Sequence, residues 1–172
     1  MNTNLLLMTD VYKMGHMEQY VPGTNKVYSY LCARSLKNFK KSVFFGLQYY
    51  IKQYLSLPIT PADAEEFLEY RALILGANSP EVEEKIRALG KLGYLPIEIK
   101  AVQEGDIISN KNVLMTITNT LPEFYWVVGF VESLLLKLWY PITVATGCLA
   151  YREVVEAAFA DTVDEEMYFL KD

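Results

Sequence analysis

Along the first third of the chain, apolar residues come in short runs separated by turns. Thr9 and Asp10 stand where helix caps are expected, ahead of Tyr12, Lys13, His16 and Tyr20, and Pro22-Gly23 ends that run. Tyr12 and His16 are four residues apart and share a face of such a helix. Lys26 to Arg34, with Val27, Tyr28, Tyr30 and Leu31, predicts a strand partly covered on both faces. Phe44 to Leu55 reads as a helix, although its first residues suit the end of a strand equally well. Thr60-Pro61-Ala62-Asp63 offers a hydroxyl cap, a proline in the first turn and an acid at the positive end of the helix dipole. Ser79-Pro80-Glu81 repeats the device, and Gly76 closes the first of these two helices. Glu65, Glu66, Glu69 and Arg71, then Glu83, Glu84, Lys85 and Arg87, predict that the hairpin spanning 57–93 lies on the surface.

The second half has a different texture. Ile97, Ile99 and Ala101 alternate with Glu98, Lys100 and Val102, as in a half-buried strand. Glu104-Gly105-Asp106 is a turn, and Val113 to Thr118 is a second strand after the polar turn Ser109 to Asn112. A long helix is expected from about Pro122 to Tyr140, leading through Pro141 into another over Thr143 to Phe159. Met167 to Leu170 reads as the start of a strand, which needs cover from this domain or from another. Strands and helices fall in uneven groups, so the fold class is α+β in one domain, 1–172, rather than regular βαβ units.

Composition narrows the function. A chain of 172 residues buries roughly 70% of its unfolded surface, and 52% hydrophobic residues exclude disorder. The net charge of −5 argues against a nucleic-acid partner, and Lys37, Lys40 and Lys41 read as a solvated loop. Two distant cysteines, Cys32 and Cys148, with a single histidine, leave no zinc-site spacing and suit reduced thiols in the cytoplasm. The N-terminal Met1 to Asn4 lacks the basic start of a signal peptide. The most apolar stretch, Phe124 to Tyr140, is interrupted by Glu132 and Lys137 and falls short of the roughly 20 residues a membrane span needs. There is no Gly-rich phosphate loop, GxSxG or HExxH. His16 reads as a structural hydrogen-bonder. Nothing in the sequence brings two of Glu98, Glu104, Glu123 and Glu132 together as an acid/base pair.

Longer strings carry more. Thr9-Asp10-Val11-Tyr12-Lys13, with His16 and Tyr20, resembles the opening of nicotinamide phosphoribosyltransferases, T-D-x-Y-K-x-x-H-x-x-x-Y-P, with the proline displaced by one to Pro22. Lys26 to Tyr30, Arg34, Phe45 to Tyr49 and Leu95 to Val102 follow in that family's order. So do Glu104-Gly105, Asn112 to Leu114, Asn119-Thr120, Pro122-Glu123, Tyr125-Trp126 and Trp139 to Thr146. The hairpin at 57–93 matches loosely. Cys32 replaces an acidic residue of the family, and Gly147 to Ala150 departs from its Asn-Ser-Arg-Glu-like stretch.

The resemblance implies the small N-terminal α+β domain of a type II phosphoribosyltransferase without its barrel, 147–172 being the start of the junction. The family's catalytic histidine and phosphate-site groups follow a Phe-Gly-Tyr-Arg-Gly-like segment, which would begin where this chain ends, so no catalytic residue and no metal ligand is expected here. The complete enzyme is implied to join nicotinamide to phosphoribosyl pyrophosphate in NAD salvage, with Mg2+ and ATP, as a cytoplasmic dimer. Partners are then a barrel-bearing chain or a homodimer mate, with neither nucleic acid nor membrane. Three substrate-binding positions carry over. Tyr12 would stack on the nicotinamide ring, Asp10 would accept from its carboxamide and repel nicotinate, and Arg34 would reach phosphates across the dimer. Each has a plainer role open to it: Asp10 as a helix cap, Tyr12 as a core aromatic, Arg34 as a strand-end charge. Two other functions stay open as well, a stand-alone interaction domain binding a full-length homologue and a nicotinate-specific relative.

Overall fold

A computed structural model describes residues 4–34, 39–163 and 167. Two short 3-10 helices, Leu5–Leu7 and Val11–Glu18, precede β1 (Tyr28–Cys32) and β2 (Lys41–Val43). Helix α1 (Leu47–Tyr50) continues as a π-helical turn, Ile51–Leu55. Then come α2 (Pro61–Leu75), α3 (Pro80–Leu92), β3 (Ile97–Ala101), β4 (Ile107–Ser109) and β5 (Val113–Asn119). A 3-10 turn, Pro122–Phe124, leads to α4 (Val127–Phe130), α5 (Glu132–Leu136) and α6 (Trp139–Thr162). The α+β class stands.

The strands form two antiparallel sheets, one ordered β1-β5-β3 and a smaller one pairing β2 with β4. β5 is the central strand, and its Leu114, Met115 and Ile117 are buried. Asn119, also buried, closes the sheet's end. It accepts from the Val27 N–H at 2.9 Å and donates to the carbonyls of Asn25 and Leu121 at 3.0 and 2.9 Å, so its polar groups are satisfied. The core continues through Trp126, Val127, Phe130, Leu134 and Leu138 to Phe67, Ile86 and Leu89.

The two proline-led helices begin where the local signals put them. Thr60 and Asp63 form a reciprocal capping box, and Ser79 accepts from the Val82 N–H. The glutamates of both helices face outward, but Arg71, expected among the surface charges, is buried, and the inner faces are core: Ala64, Phe67, Leu68, Val82, Ile86 and Leu89 are buried. The hairpin is therefore a wall of the domain, not only a surface appendage. Gly90 permits the close crossing, since a Cβ there would lie 2.9 Å from that of Ala64 and 3.1 Å from the Thr60 carbonyl.

Three expectations are corrected. The single helix expected over Pro122 to Tyr140 is broken at Val131, with Phe130 ending α4 and Glu132 opening α5. The following helix starts at Trp139, earlier than expected, because Pro141 sits in its first turn, where no N–H partner is required. Lys41 is in a strand, not a loop: β2 pairs with β4 and rests on α6, where the Val43 N–H donates to Thr146 Oγ1 at 3.0 Å and Lys41 pairs with Glu153. Of the strand expected at Met167 to Leu170, Tyr168 to Leu170 lie outside the described residues, as do Ser35 to Asn38 of the basic segment.

Candidate functional site

The Thr9–Asp10 segment acts differently from a capping pair. Thr9 Oγ1 donates to the Phe130 carbonyl at 2.8 Å, the group left over where α4 stops. Asp10 occupies the cap position of the Val11–Glu18 helix without making a side-chain cap bond. Its backbone N–H instead donates to Ser133 Oγ at 3.0 Å, and Ser133 Oγ–H donates back to Asp10 Oδ2 at 2.5 Å. The break at Val131 makes this possible, because it puts Glu132 and Ser133 on the first turn of α5, against the Asp10 segment.

Lys13 completes the cluster. Its side chain is only 1% exposed, its ammonium pairs with Glu132, and Asp10 Oδ2 lies 4.0 Å from the same nitrogen. The ammonium also sits 5.5 Å from the centre of the Tyr12 ring. Tyr12 itself is 60% exposed and meets His16 edge-on, with ring centres 5.1 Å apart. The plain alternative for Tyr12, a core aromatic, is thus excluded. Asp10, two residues earlier, keeps a carboxylate that is 49% exposed.

The far end of the Val11–Glu18 helix is fastened to the hairpin. Buried Arg71 donates to the Met14 carbonyl at 2.9 Å, to Asn78 at 2.8 Å and to Glu18 at 2.6 Å. Lys85 reaches the Met17 carbonyl at 3.2 Å. Nearby, burial is the main cause that holds the Tyr20 hydroxyl above its ordinary titration range, with Tyr125 and Glu132 adding to it.

Beside the cluster lies a cavity of about 330 Å3 between β1 and the α4–α5 turn, walled by Tyr28, Tyr30, Ile117, Val128 and Leu135. Glu132 lines it and so belongs to both the cavity and the ion pair. Arg34 follows the end of β1 and is exposed. Among the described residues no hydrogen bond or ion pair joins it to Asp10 or Tyr12. Glu98 pairs with Lys100, and Glu104 accepts from the backbone N–H groups of Gly46 and Gln48, so the acids named from sequence do not form a catalytic pair. Among the described residues there is no group of three or more His, Cys, Asp or Glu able to hold a metal ion, and no single helix is long and apolar enough to cross a membrane.

Lys13, Glu132 and Ser133 are the site-forming residues that sequence reasoning missed. One signal was available: Glu132-Ser133 is the only charged and hydroxyl-bearing pair inside the apolar run Phe124 to Leu136. The ion pair has a measurable consequence. Glu132→Leu is expected to lower unfolding free energy by about 2 kcal/mol, less than for a fully buried pair because the Glu132 carboxylate is half in water. Adding Lys13→Met should recover most of that loss in urea denaturation; a double variant no better than Glu132→Leu would show that the pairing is not the cause.

Comparison with known proteins agrees with this placement. Residues 4–72 match the family model "Nicotinamide phosphoribosyltransferase, N-terminal domain". A nicotinamide phosphoribosyltransferase of Xanthomonas campestris is 39% identical over 94% of this chain and 34% of its own length. One from Acinetobacter baylyi is 34% identical over 88% of this chain and 33% of its own length. The chain thus spans about a third of the length of the curated relatives it matches. The crystal structure of human nicotinic acid phosphoribosyltransferase superposes with a TM-score of 0.61 at 19% identity, covering 81% of this chain and 27% of that one, which shows a shared fold. The chain carries the N-terminal domain of the nicotinamide phosphoribosyltransferase family.

Proposed function

We propose that this chain provides the nicotinamide-recognising corner of a nicotinamide phosphoribosyltransferase, completed by a barrel-bearing polypeptide at a subunit interface. The observation that carries this reading is the exposed Tyr12 ring and the half-exposed Asp10 carboxylate, both flanking the Lys13 ammonium at 5.5 and 4.0 Å. A tyrosine face stacks on a pyridine with about 0.5–1.5 kcal/mol beyond area burial. A carboxylate accepting from the carboxamide NH2 contributes roughly 1.5–3 kcal/mol, and the same charge repels the carboxylate of nicotinate. Asp10, Lys13 and Glu132 together carry one net negative charge, so the repulsion survives the neighbouring ammonium. This favours a nicotinamide enzyme over a nicotinate-specific one. Arg34, exposed after β1, is free of the core and suits a phosphate of the substrate bound to the partner.

The completed enzyme would join nicotinamide to phosphoribosyl pyrophosphate, making nicotinamide mononucleotide for NAD salvage in the cytoplasm. Mg2+ and ATP belong to that completed enzyme.

The purified chain alone is expected to form no mononucleotide, and co-expression with a barrel-bearing relative lacking its own N-terminal third is expected to restore turnover. Asp10→Ala should then lower kcat/KM for nicotinamide about 10–100-fold, the loss of a charged hydrogen bond. Turnover by the isolated chain above an Asp10→Ala, Tyr12→Ala control would overturn the reading. A second function, binding a full-length homologue without activity, is favoured by one feature: α6 exposes Tyr140, Val144, Tyr151 and Val154 on one side. Tight association with no restored turnover would select it.

A further inference from the structure

Ser133 is tied to Asp10 twice. It accepts from the Asp10 backbone N–H at 3.0 Å and donates to Asp10 Oδ2 at 2.5 Å. The pair of bonds closes a ring through the Asp10 backbone and side chain, which restricts its first side-chain torsion to one rotamer. The Lys13 ammonium, 4.0 Å from Oδ2, pulls on the same oxygen. Among the described residues Oδ1 accepts no hydrogen bond, and the side chain is 49% exposed. One carboxylate oxygen is therefore held by the protein while the other is left to accept from a ligand.

We infer that Ser133 is a specificity-positioning residue: it turns Asp10 so that Oδ1 is the acceptor offered to a ligand amide, with Lys13 holding Oδ2 back. This rests on reading Asp10 as the group that selects the carboxamide. Ser133 touches no ligand in this account; it acts through Asp10. An Asp10 side chain free to rotate would spend part of its time with neither oxygen aimed at the NH2, and would lose selectivity for the amide without losing the Tyr12 stack. Threonine keeps the hydroxyl and should keep the function; alanine removes it.

The test uses the whole chain, alone and with the complementing barrel chain, and two readouts. Three-bond couplings of Asp10 report its side-chain rotamer. Titrations with nicotinamide and with nicotinate, followed by NMR, give the ratio of their affinities. In Ser133→Ala the rotamer is expected to average and the preference for nicotinamide to fall about tenfold, while Ser133→Thr keeps both. A purely structural loss would weaken both ligands equally and leave the ratio unchanged, and that result would overturn the inference, as would an unaveraged Asp10 rotamer in Ser133→Ala. An unchanged ratio in Ser133→Ala alongside a lost preference in Asp10→Ala defeats the positioning role alone. An unchanged ratio in Asp10→Ala, or no binding of either ligand, defeats the reading of the site and the inference with it.

Discussion

Gly46→Ala is expected to destabilise the chain by about 2–5 kcal/mol, the largest effect of any single methyl group in the domain. Two costs add. Gly46 has φ of 103°, in the left-handed region that a side chain resists. A Cβ there would also stand 2.6 Å from Pro141 Cγ and 2.9 Å from Pro141 Cβ. A proline ring in the first turn of α6 cannot swing away, so the clash must be relieved by moving the helix. The Gly46 N–H, which donates to Glu104 Oε1 at 3.1 Å, would move with it. Urea denaturation measures the loss; a change below about 1 kcal/mol would mean that α6 shifts freely. The Phe45-Gly46 and Tyr140-Pro141 strings are separate in the sequence, and this contact gives each its reason.

Replacing Arg71 should have the second-largest effect and should reach the site. Arg71→Met is expected to cost roughly 3 kcal/mol, since it leaves the Met14 carbonyl without its donor and Glu18 without its cation. Lysine presents a point charge instead of a planar fork, so Arg71→Lys should regain less than half of it. The informative measurement is amide hydrogen exchange. Protection should drop first over Val11–Glu18, the helix that carries Tyr12 and Lys13, while α3 keeps its own. Uniform loss across the domain would show that Arg71 supports the core in general and does not specifically anchor the site helix.

Both predictions connect parts of the chain whose sequence signals differ in strength. The 57–93 hairpin has the weakest resemblance to the family, yet its Arg71 and Lys85 hold the Val11–Glu18 helix in place, with Asn78 accepting from Arg71.

What the residues determined unaided is local. Thr60-Pro61 and Ser79-Pro80 start helices because a hydroxyl cap and a preset φ need nothing from the rest of the fold. Ile97 to Ala101 and Val113 to Thr118 are strands because alternation and β-branching suffice. The long collinear strings placed the chain in its family, and Asp10, Tyr12 and Arg34 became candidates through that resemblance alone. The tertiary structure decided the rest. The apolar run from Phe124 to Leu136 carries only Glu132-Ser133 as an interruption and no proline, so it does not reveal the stop at Val131. At that stop Thr9, 121 residues away, takes the Phe130 carbonyl. For the same reason Asp10 looks like a cap in sequence and is a partner of Ser133 in space. A carboxylate bonds to whichever donor the fold brings within reach, and residue order does not encode that distance.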